Sequence, residues 1–121
     1  STTLNLSAVG LPMVPNVVYD KFADIDTLEF EFNQLNVFPD LSEFGALHTV
    51  RLGGNQITTV NMMRVLGRLR VLHLNGNHLS AIGAEFGELA CLERLDVSNN
   101  AVARVDDAIA RMTALEELNL S

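Results

Sequence analysis

The segment Leu69-Arg70-Val71-Leu72-His73-Leu74-Asn75-Gly76-Asn77-His78-Leu79 decides the fold of this chain. Its apolar residues stand at the first, fourth, sixth and eleventh positions, and an asparagine stands at the ninth. The same pattern occurs in three further segments, and the asparagines of the four copies are Asn33, Asn55, Asn77 and Asn100. Steps of 22, 22 and 23 residues separate them. Recurrence in register at such a period predicts a stack of repeated structural units.

Two imperfect copies flank these four. Leu4, Leu6 and Leu11 open the chain with Val9 where the asparagine is expected, and Leu115, Leu118 and Leu120 form a truncated copy at the end. Within each leucine pair the alternation of two predicts a short strand with both leucines on one face. One such unit cannot bury its apolar face, whereas stacked units share a continuous core. The pattern therefore predicts about six short parallel strands.

The segments that return from one strand to the next repeat as well. In the first two, apolar residues recur at every third position: Leu35, Phe38, Leu41, Phe44, Leu47 and Ile57, Val60, Met63, Leu66, Leu69. The next two follow the same spacing with one inserted residue: Leu79, Ile82, Phe86, Leu89, Leu92 and Val102, Val105, Ile109, Met112, Leu115. A spacing of three predicts short 3₁₀ or helical turns. Pro12 and Pro15 predict an extended start for the first connection. Because helical turns need more width than strands, the strand side is predicted to be concave.

The four asparagines have a structural interpretation. Each follows a strand, where backbone groups lie inside the stack without sheet partners. A side-chain amide offers two donors and an acceptor, so a column of asparagines can satisfy those groups between neighbouring units. We therefore predict that Asn33, Asn55, Asn77 and Asn100 form a structural ladder.

The motif Leu-x-x-Leu-x-Leu-x-x-Asn-x-Leu resembles the leucine-rich-repeat family over essentially the whole chain. The resemblance implies an α/β fold, a right-handed horseshoe-shaped solenoid with a concave parallel sheet and a convex side of short helical or 3₁₀ turns. It also implies protein binding through the concave sheet. The 22-residue units are similar to a class common in cytosolic, nuclear and cytoskeletal regulators. Neither end has a recognisable cap, so we expect residues 1–121 to be one domain of a longer solenoid.

Composition narrows the choice of partners. The net charge is −7 and Lys21 is the only lysine, so nucleic acid is not an expected partner. Residues 1–43 carry a net charge of −6, residues 44–84 carry +4 and residues 85–121 carry −5. No apolar run reaches the length of a membrane span. Cys91 is the only cysteine, which agrees with a reducing compartment, and its place beside Leu92 predicts a buried apolar role.

The side chains that alternate with the strand leucines form columns across the predicted concave face. Partner-binding residues are predicted at Glu29, Glu31, Phe32, Arg51, His73, Asn75, Asp96 and Ser98. Two carboxylates beside an aromatic, next to the flat Gly53, Gly54 and Gly76, resemble an interaction hot spot. The alternative is that Glu29 and Arg51 simply pair across adjacent strands, with Phe32 tucked against the edge.

No catalytic residue, cofactor site or metal site is predicted. His48, His73 and His78 occupy different repeat positions and lack acidic or cysteine partners at ligand spacing. No nucleophile and base stand in a recognisable arrangement, and the glycine pair is not part of a phosphate loop. The chain is therefore not expected to be an enzyme.

The sequence favours a cytoplasmic protein-interaction scaffold that binds another protein. One alternative is a structural segment packed within a larger chain or assembly. Another is the substrate-recognition region of a multidomain enzyme, such as a ligase or phosphatase complex. A third is an extracellular or surface location, suggested only by the glycosylation sequons at Asn5 and Asn119. We interpret those sequons as accidental matches.

Overall fold

A parallel sheet forms one side of the molecule. A computed structural model describes residues 2–60 and 68–121, and its main sheet has six strands in the order β1-β2-β3-β4-β6-β8. These strands are β1 Thr3–Asn5, β2 Thr27–Glu29, β3 Thr49–Arg51, β4 Val71–His73, β6 Arg94–Asp96 and β8 Glu117–Asn119. Neighbouring strands are parallel throughout, which confirms the sheet predicted from the repeats.

The strands are aligned by their central apolar residues. The paired positions are Leu4, Leu28, Val50, Leu72, Leu95 and Leu118 in that order across the sheet. The central residues of β2, β3, β4 and β6 are buried, whereas their strand neighbours are partly or fully exposed. A slip of one residue would carry this entire apolar row to the solvent side, so burial itself holds the register.

The returning segments differ in regularity. Two of them contain a short strand and a 3₁₀ helix: β5 Ala81–Ile82 with Ala84–Glu88, and β7 Arg104–Val105 with Asp107–Arg111. β5 and β7 pair in parallel as a second small sheet. The segment after Leu35 has no helix; instead Phe44 donates to the carbonyl of Leu41 at 3.3 Å and Leu47 to that of Phe44 at 3.2 Å. Helical or 3₁₀ turns are thus present in the segments after Leu35, Leu79 and Val102, while Met63 and Leu66 of the remaining segment lie outside the described residues.

The first connection begins extended, as its prolines predict, and then contains a helix. Pro15 is extended, with φ −61° and ψ 145°, but helix α1 Asn16–Lys21 follows it directly. Proline fits immediately before a helix because the first helical N–H groups have no partner inside the helix. Val18 is the buried residue of α1, and the ring of Tyr19 stacks on Phe44 with centroids 5.3 Å apart. The connection therefore has the extended start that Pro12 and Pro15 predict, and a short helix that was not predicted follows it.

The core lies between the main sheet and the returning segments. Its largest fully buried side chains include Phe30, Phe38, Phe44 and Phe86. Cys91 is exposed, so the predicted buried role is wrong. The reason is local geometry: Leu92 donates to the carbonyl of Leu89, both leucines face the core, and the two residues between them face outward.

The asparagines connect the units of the stack. The side-chain NH₂ of Asn77 donates to the carbonyls of Leu52 and Leu74 at 3.0 Å each, and its Oδ1 accepts from the N–H of Ile57 at 3.0 Å. The other three amides make the same kinds of bond. Asn33 accepts from the N–H of Leu11, Asn55 from that of Leu35 and Asn100 from that of Leu79, in each case a residue of the preceding unit. Each amide therefore satisfies backbone groups of its own unit and of the unit before it.

Because each asparagine bonds to the unit before it, the first unit needs no asparagine of its own at Val9. Asn33 serves that unit by accepting from the N–H groups of Val9 at 3.3 Å and Leu11 at 2.9 Å, and by donating to the carbonyl of Leu6 at 2.9 Å. The side chain of Val9 is 57% exposed and takes no part in these bonds. The valine consequently interrupts none of the four described junctions.

Removal of one asparagine amide should show how much the ladder contributes to the stability of the fold. We expect Asn77→Ala to lower the free energy of unfolding by about 1–3 kcal/mol, because buried backbone groups of two units lose their partners. The measurement is the urea denaturation curve. Asn36→Ala, at an exposed asparagine in a returning segment, is the control. Equal midpoints for the two variants would contradict a structural role for the ladder.

Candidate interaction surface

The side of the main sheet that faces away from the core carries a continuous row of polar side chains. Register aligns Asn5, Glu29, Arg51, His73, Asp96 and Asn119 in that order. We call the surface formed by this row and the residues beside it the sheet face. Parallel strands lie about 4.8 Å apart, so side chains at paired positions are close enough to interact.

Two ion pairs cross neighbouring strands on the sheet face. The Nε of Arg51 lies 3.8 Å from the Oε1 of Glu29, and the Nε of Arg94 lies 3.2 Å from the Oε2 of Glu117. The first pair is the alternative that the sequence left open. Both pairs are substantially exposed, and exposed pairs contribute at most about 1 kcal/mol. The pairs therefore order the side chains more than they stabilise the fold.

His73 lies at the centre of the row with a perturbed protonation equilibrium. Partial burial of the imidazole, and then the positive charge of Arg51, lower its pKa below the ordinary value of 6.5. The carboxylates of Asp96, Glu31 and Glu117 act in the opposite direction but do not prevail. The ring is consequently neutral near pH 7, a hydrogen-bonding group without charge.

A second column lies where each strand turns toward the core. Ala8, Phe32, Gly54, Gly76 and Asn99 all have positive φ, between 54° and 71°. Their N–H groups donate in turn to the carbonyls of Glu31, Gly53, Asn75, Ser98 and Ser121 in the next unit, at 2.8 to 3.2 Å. The repeated bond fixes the same left-handed backbone in each of these units. Glycine and asparagine adopt this conformation readily, whereas a bulky aromatic rarely does.

Phe32 is the exposed aromatic of the sheet face. Its side chain is 65% exposed, so it does not belong to the core. A Cβ added to Gly54 would lie 2.4 Å from Cδ1 and 2.8 Å from Cε1 of the ring, which places the ring directly over that glycine. Gly76 adds no side chain on the far side. The ring therefore rests on a flat backbone surface with its other side open to solvent.

The remaining predicted residues have different surroundings. The Oδ1 of Asp96 accepts from the N–H of Ser98 at 2.9 Å and from its hydroxyl at 2.6 Å. Ser98 is buried, so it orients Asp96 and offers little contact surface itself. The side chain of Asn75 fills the space that a Cβ on Gly53 would need, and its buried Oδ1 has no hydrogen-bond partner among the described residues. The structure thus places Glu29, Glu31, Phe32, Arg51 and His73 on three neighbouring units of the sheet face, with Asp96 on the next unit.

Two concave regions accompany these residues. A groove of about 550 Å³ on the sheet face is lined by His73, Arg94, Leu95, Asp96, Glu116, Glu117, Leu118 and Asn119. A second cavity of about 390 Å³ lies away from the sheet face, between residues 12–19 and 35–39, and includes the exposed Met13 and Val37. Sequence reasoning missed this cavity. The available signal was that both apolar residues fall outside the repeat pattern.

The histidine, cysteine, aspartate and glutamate side chains of residues 2–60 and 68–121 are spread over the structure. No three histidine, cysteine, aspartate or glutamate side chains gather there as a possible metal site. None of the helices described in those ranges is long and apolar enough to span a membrane.

The family model for the leucine-rich repeat matches residues 67–121, and solved structures of leucine-rich-repeat proteins superimpose on nearly the whole chain. The chain has the leucine-rich-repeat fold, and the family model itself covers its last 55 residues. The leucine-rich-repeat protein LIC12759 of Leptospira interrogans has a TM-score of 0.87 and 25% identity over 97% of this chain. The internalin InlF of Listeria monocytogenes has a TM-score of 0.68 and 17% identity over 98% of this chain, and it supports the fold alone.

The comparison also shows how much of each relative is represented. The chain spans 30% of the length of the Leptospira protein and 40% of the length of the internalin. A search of the curated proteins gave no match. Leucine-rich-repeat domains are commonly protein-interaction scaffolds and typically non-catalytic. The family thus gives the fold and a general type of activity but no specific partner.

The contact between Phe32 and Gly54 can be tested by adding a single methyl group. We expect Gly54→Ala to lower the free energy of unfolding by about 1–2 kcal/mol or more, because alanine is strained at φ +71° and its Cβ meets the ring. Urea denaturation provides the measurement. Gly45→Ala is the control, since nothing lies within 4 Å of its added Cβ and its φ is not positive. A loss no larger than that of Gly45→Ala would contradict this geometry.

The lowered pKa of His73 predicts a pH dependence of stability. Between pH 6.5 and the lower folded-state pKa, the unfolded chain binds more protons than the folded chain, so stability falls as pH is lowered. We expect the urea midpoint of the wild type to fall more than that of His73→Gln between about pH 7.5 and about pH 5.5. His78→Gln is the control for loss of one imidazole. Parallel curves for wild type and His73→Gln would contradict the shift.

Proposed function

We propose that this leucine-rich-repeat protein is a non-catalytic scaffold that binds another protein through the sheet face. The observation that carries the proposal is the grouping of Phe32, an exposed aromatic, with charged side chains on one ordered surface. The buried side chains of Leu28, Val50 and Leu72 hold β2, β3 and β4 from the opposite side, so the surface is rigid before a partner arrives. Rigid presentation lowers the entropy that must be lost on binding.

The composition of the sheet face supports a protein partner. Aromatic and arginine side chains are enriched at protein interfaces, and this face offers Phe32 and Arg51 near its centre. A groove beside His73 and Asp96 adds concave surface. The net charge of −7 disfavours a nucleic-acid backbone as the partner. We further propose a cytoplasmic location, with the single cysteine as the supporting observation.

The extracellular alternative has a structural aspect of its own. Asn5 and Asn119 are exposed, and their Oδ1 atoms accept from the N–H groups of Ser7 at 3.0 Å and Ser121 at 3.2 Å. Both lie in the polar row, so attached glycans would flank the proposed contact surface. Mass loss from the natural protein after glycosidase treatment would favour the extracellular location over the cytoplasmic one.

The proposal is tested by capture from a native extract with three proteins. The first is the wild type, and the second is Glu29→Lys/Arg51→Glu/His73→Ala on the sheet face. The third is the matched control Glu88→Lys/Arg104→Glu/His78→Ala, which makes the same three kinds of change at exposed residues elsewhere. We expect a captured protein, identified by mass spectrometry, to be lost from the sheet-face variant alone.

The three proteins must first show matching melting curves. Loss of the captured protein from the control variant instead would move the interaction to the returning segments. Identical captured sets from all three proteins would contradict binding through the sheet face. That result would favour a structural segment packed within a larger assembly. A catalytic domain in the same natural polypeptide would favour the substrate-recognition alternative.

A further inference from the structure

Phe32 occupies a backbone conformation that its own side chain opposes. Its φ is +55°, and the equivalent positions of the next two units are Gly54 and Gly76. The left-handed region is costly for a bulky residue, and such strain persists only where surrounding structure enforces it. The N–H of Phe32 donates to the carbonyl of Gly53 at 2.9 Å, which is the bond that enforces it. A glycine would make the same bond without strain.

Burial does not compensate for this cost. The Phe32 side chain is 65% exposed, and only the side of the ring above Gly54 is covered. Phe22, the other exposed phenylalanine, is 42% exposed and has φ −122°. Phe32 thus combines an unfavourable backbone with an open aromatic surface. The ring is held in place by the backbone below it, so a partner would meet a preformed surface.

The charges around the ring indicate what that surface attracts. Glu29 is already paired with Arg51, whereas Glu31 forms no ion pair among the described residues. Within residues 2–60 and 68–121, no arginine or lysine lies against the Phe32 ring. Phe32 and Glu31 both lie in the sequence segment 1–43, which carries a net charge of −6. An exposed aromatic face next in sequence to a carboxylate without an ion pair complements a cation.

We propose that Phe32 and Glu31 form a binding site for an arginine side chain of the partner protein. The guanidinium group would stack on the open face of the Phe32 ring and donate hydrogen bonds to the carboxylate of Glu31. Arginine suits this site better than lysine, because its planar group both stacks on aromatics and donates in a fixed fork. Gly54 and Gly76 leave room for it. The inference rests on the proposed function and adds that the partner presents a basic segment.

The test uses three peptides of equal length that differ in one residue type. Each carries arginine, lysine or citrulline between glycines; citrulline keeps the shape of arginine without its charge. Binding is followed on the full chain labelled at phenylalanine, by the NMR shifts of the ring carbons. We expect the arginine peptide to shift the Phe32 signals, the lysine peptide to bind more weakly, and the citrulline peptide to give no shift.

Variants assign the effect to the two side chains. Phe32→Leu keeps the apolar bulk but has no aromatic ring, and we expect it to weaken the affinity for the arginine peptide about five-fold. Glu31→Gln is expected to weaken it by a similar factor, and the loss should diminish at high salt. Phe22→Leu is the matched control, because Phe22 is also exposed and also lies in the acidic region. Equal loss in Phe22→Leu and Phe32→Leu would overturn the site, as would binding of the citrulline peptide.

Stability gives a second, independent measurement. Because glycine removes the backbone strain, we expect the melting temperature of Phe32→Gly to equal or exceed that of the wild type. The same variant should no longer bind the arginine peptide. A fall in melting temperature of more than about 4 °C would show that Phe32 serves the fold, and would overturn the inference.

The same variants separate this inference from the proposed function. A protein captured in a sheet-face-dependent manner but unaffected by Phe32→Leu would leave the scaffold function intact and overturn the arginine site. If the arginine peptide binds in a Phe32-dependent manner but no protein is captured from the extract, the arginine site is supported and only the scaffold function is contradicted.

Discussion

The rest of the structure depends on the buried carboxamide that joins each unit to the one before it. At the end of a strand the chain must turn inward, and its backbone groups then lie where neither the sheet nor water can satisfy them. Asn77 illustrates the solution, because its NH₂ reaches carbonyls of two units while its oxygen accepts from Ile57. No apolar side chain of similar size offers both functions. The stack therefore depends on hydrogen bonds as well as on leucine burial.

The same inward turn determines the chemistry of the sheet face. It requires a positive φ immediately before each ladder position, and the bond from that residue to the next unit maintains it. Glycines at two of these positions leave a flat surface, and Phe32 lies over one of them. A structural requirement repeated along the chain thus creates an unusual place for one aromatic. The exposed ring of the sheet face thus stands on a left-handed backbone position.

The charged side chains of the sheet face differ in whether they form ion pairs. Exposed ion pairs such as Glu29 with Arg51 contribute little stability, and within residues 2–60 and 68–121 Glu31 belongs to none of them. His73 is partly buried beside Arg51, and burial together with that positive charge lowers its pKa, which keeps the imidazole neutral near pH 7. A surface of fixed geometry with few uncompensated charges is suited to selective contact with another protein.

The repeat alone determined the sheet, its register, the apolar side of each strand and the residues that share a column. These features follow from periodicity, because alternation and the asparagine spacing together specify the arrangement that buries the strand leucines of the inner units. Only the tertiary structure decided that Phe32 is strained and rests on Gly54, that Ser98 is occupied by Asp96, and that Cys91 faces outward. It also decided the cavity near Met13. These properties depend on bonds and contacts between units, which a pattern within one unit does not contain.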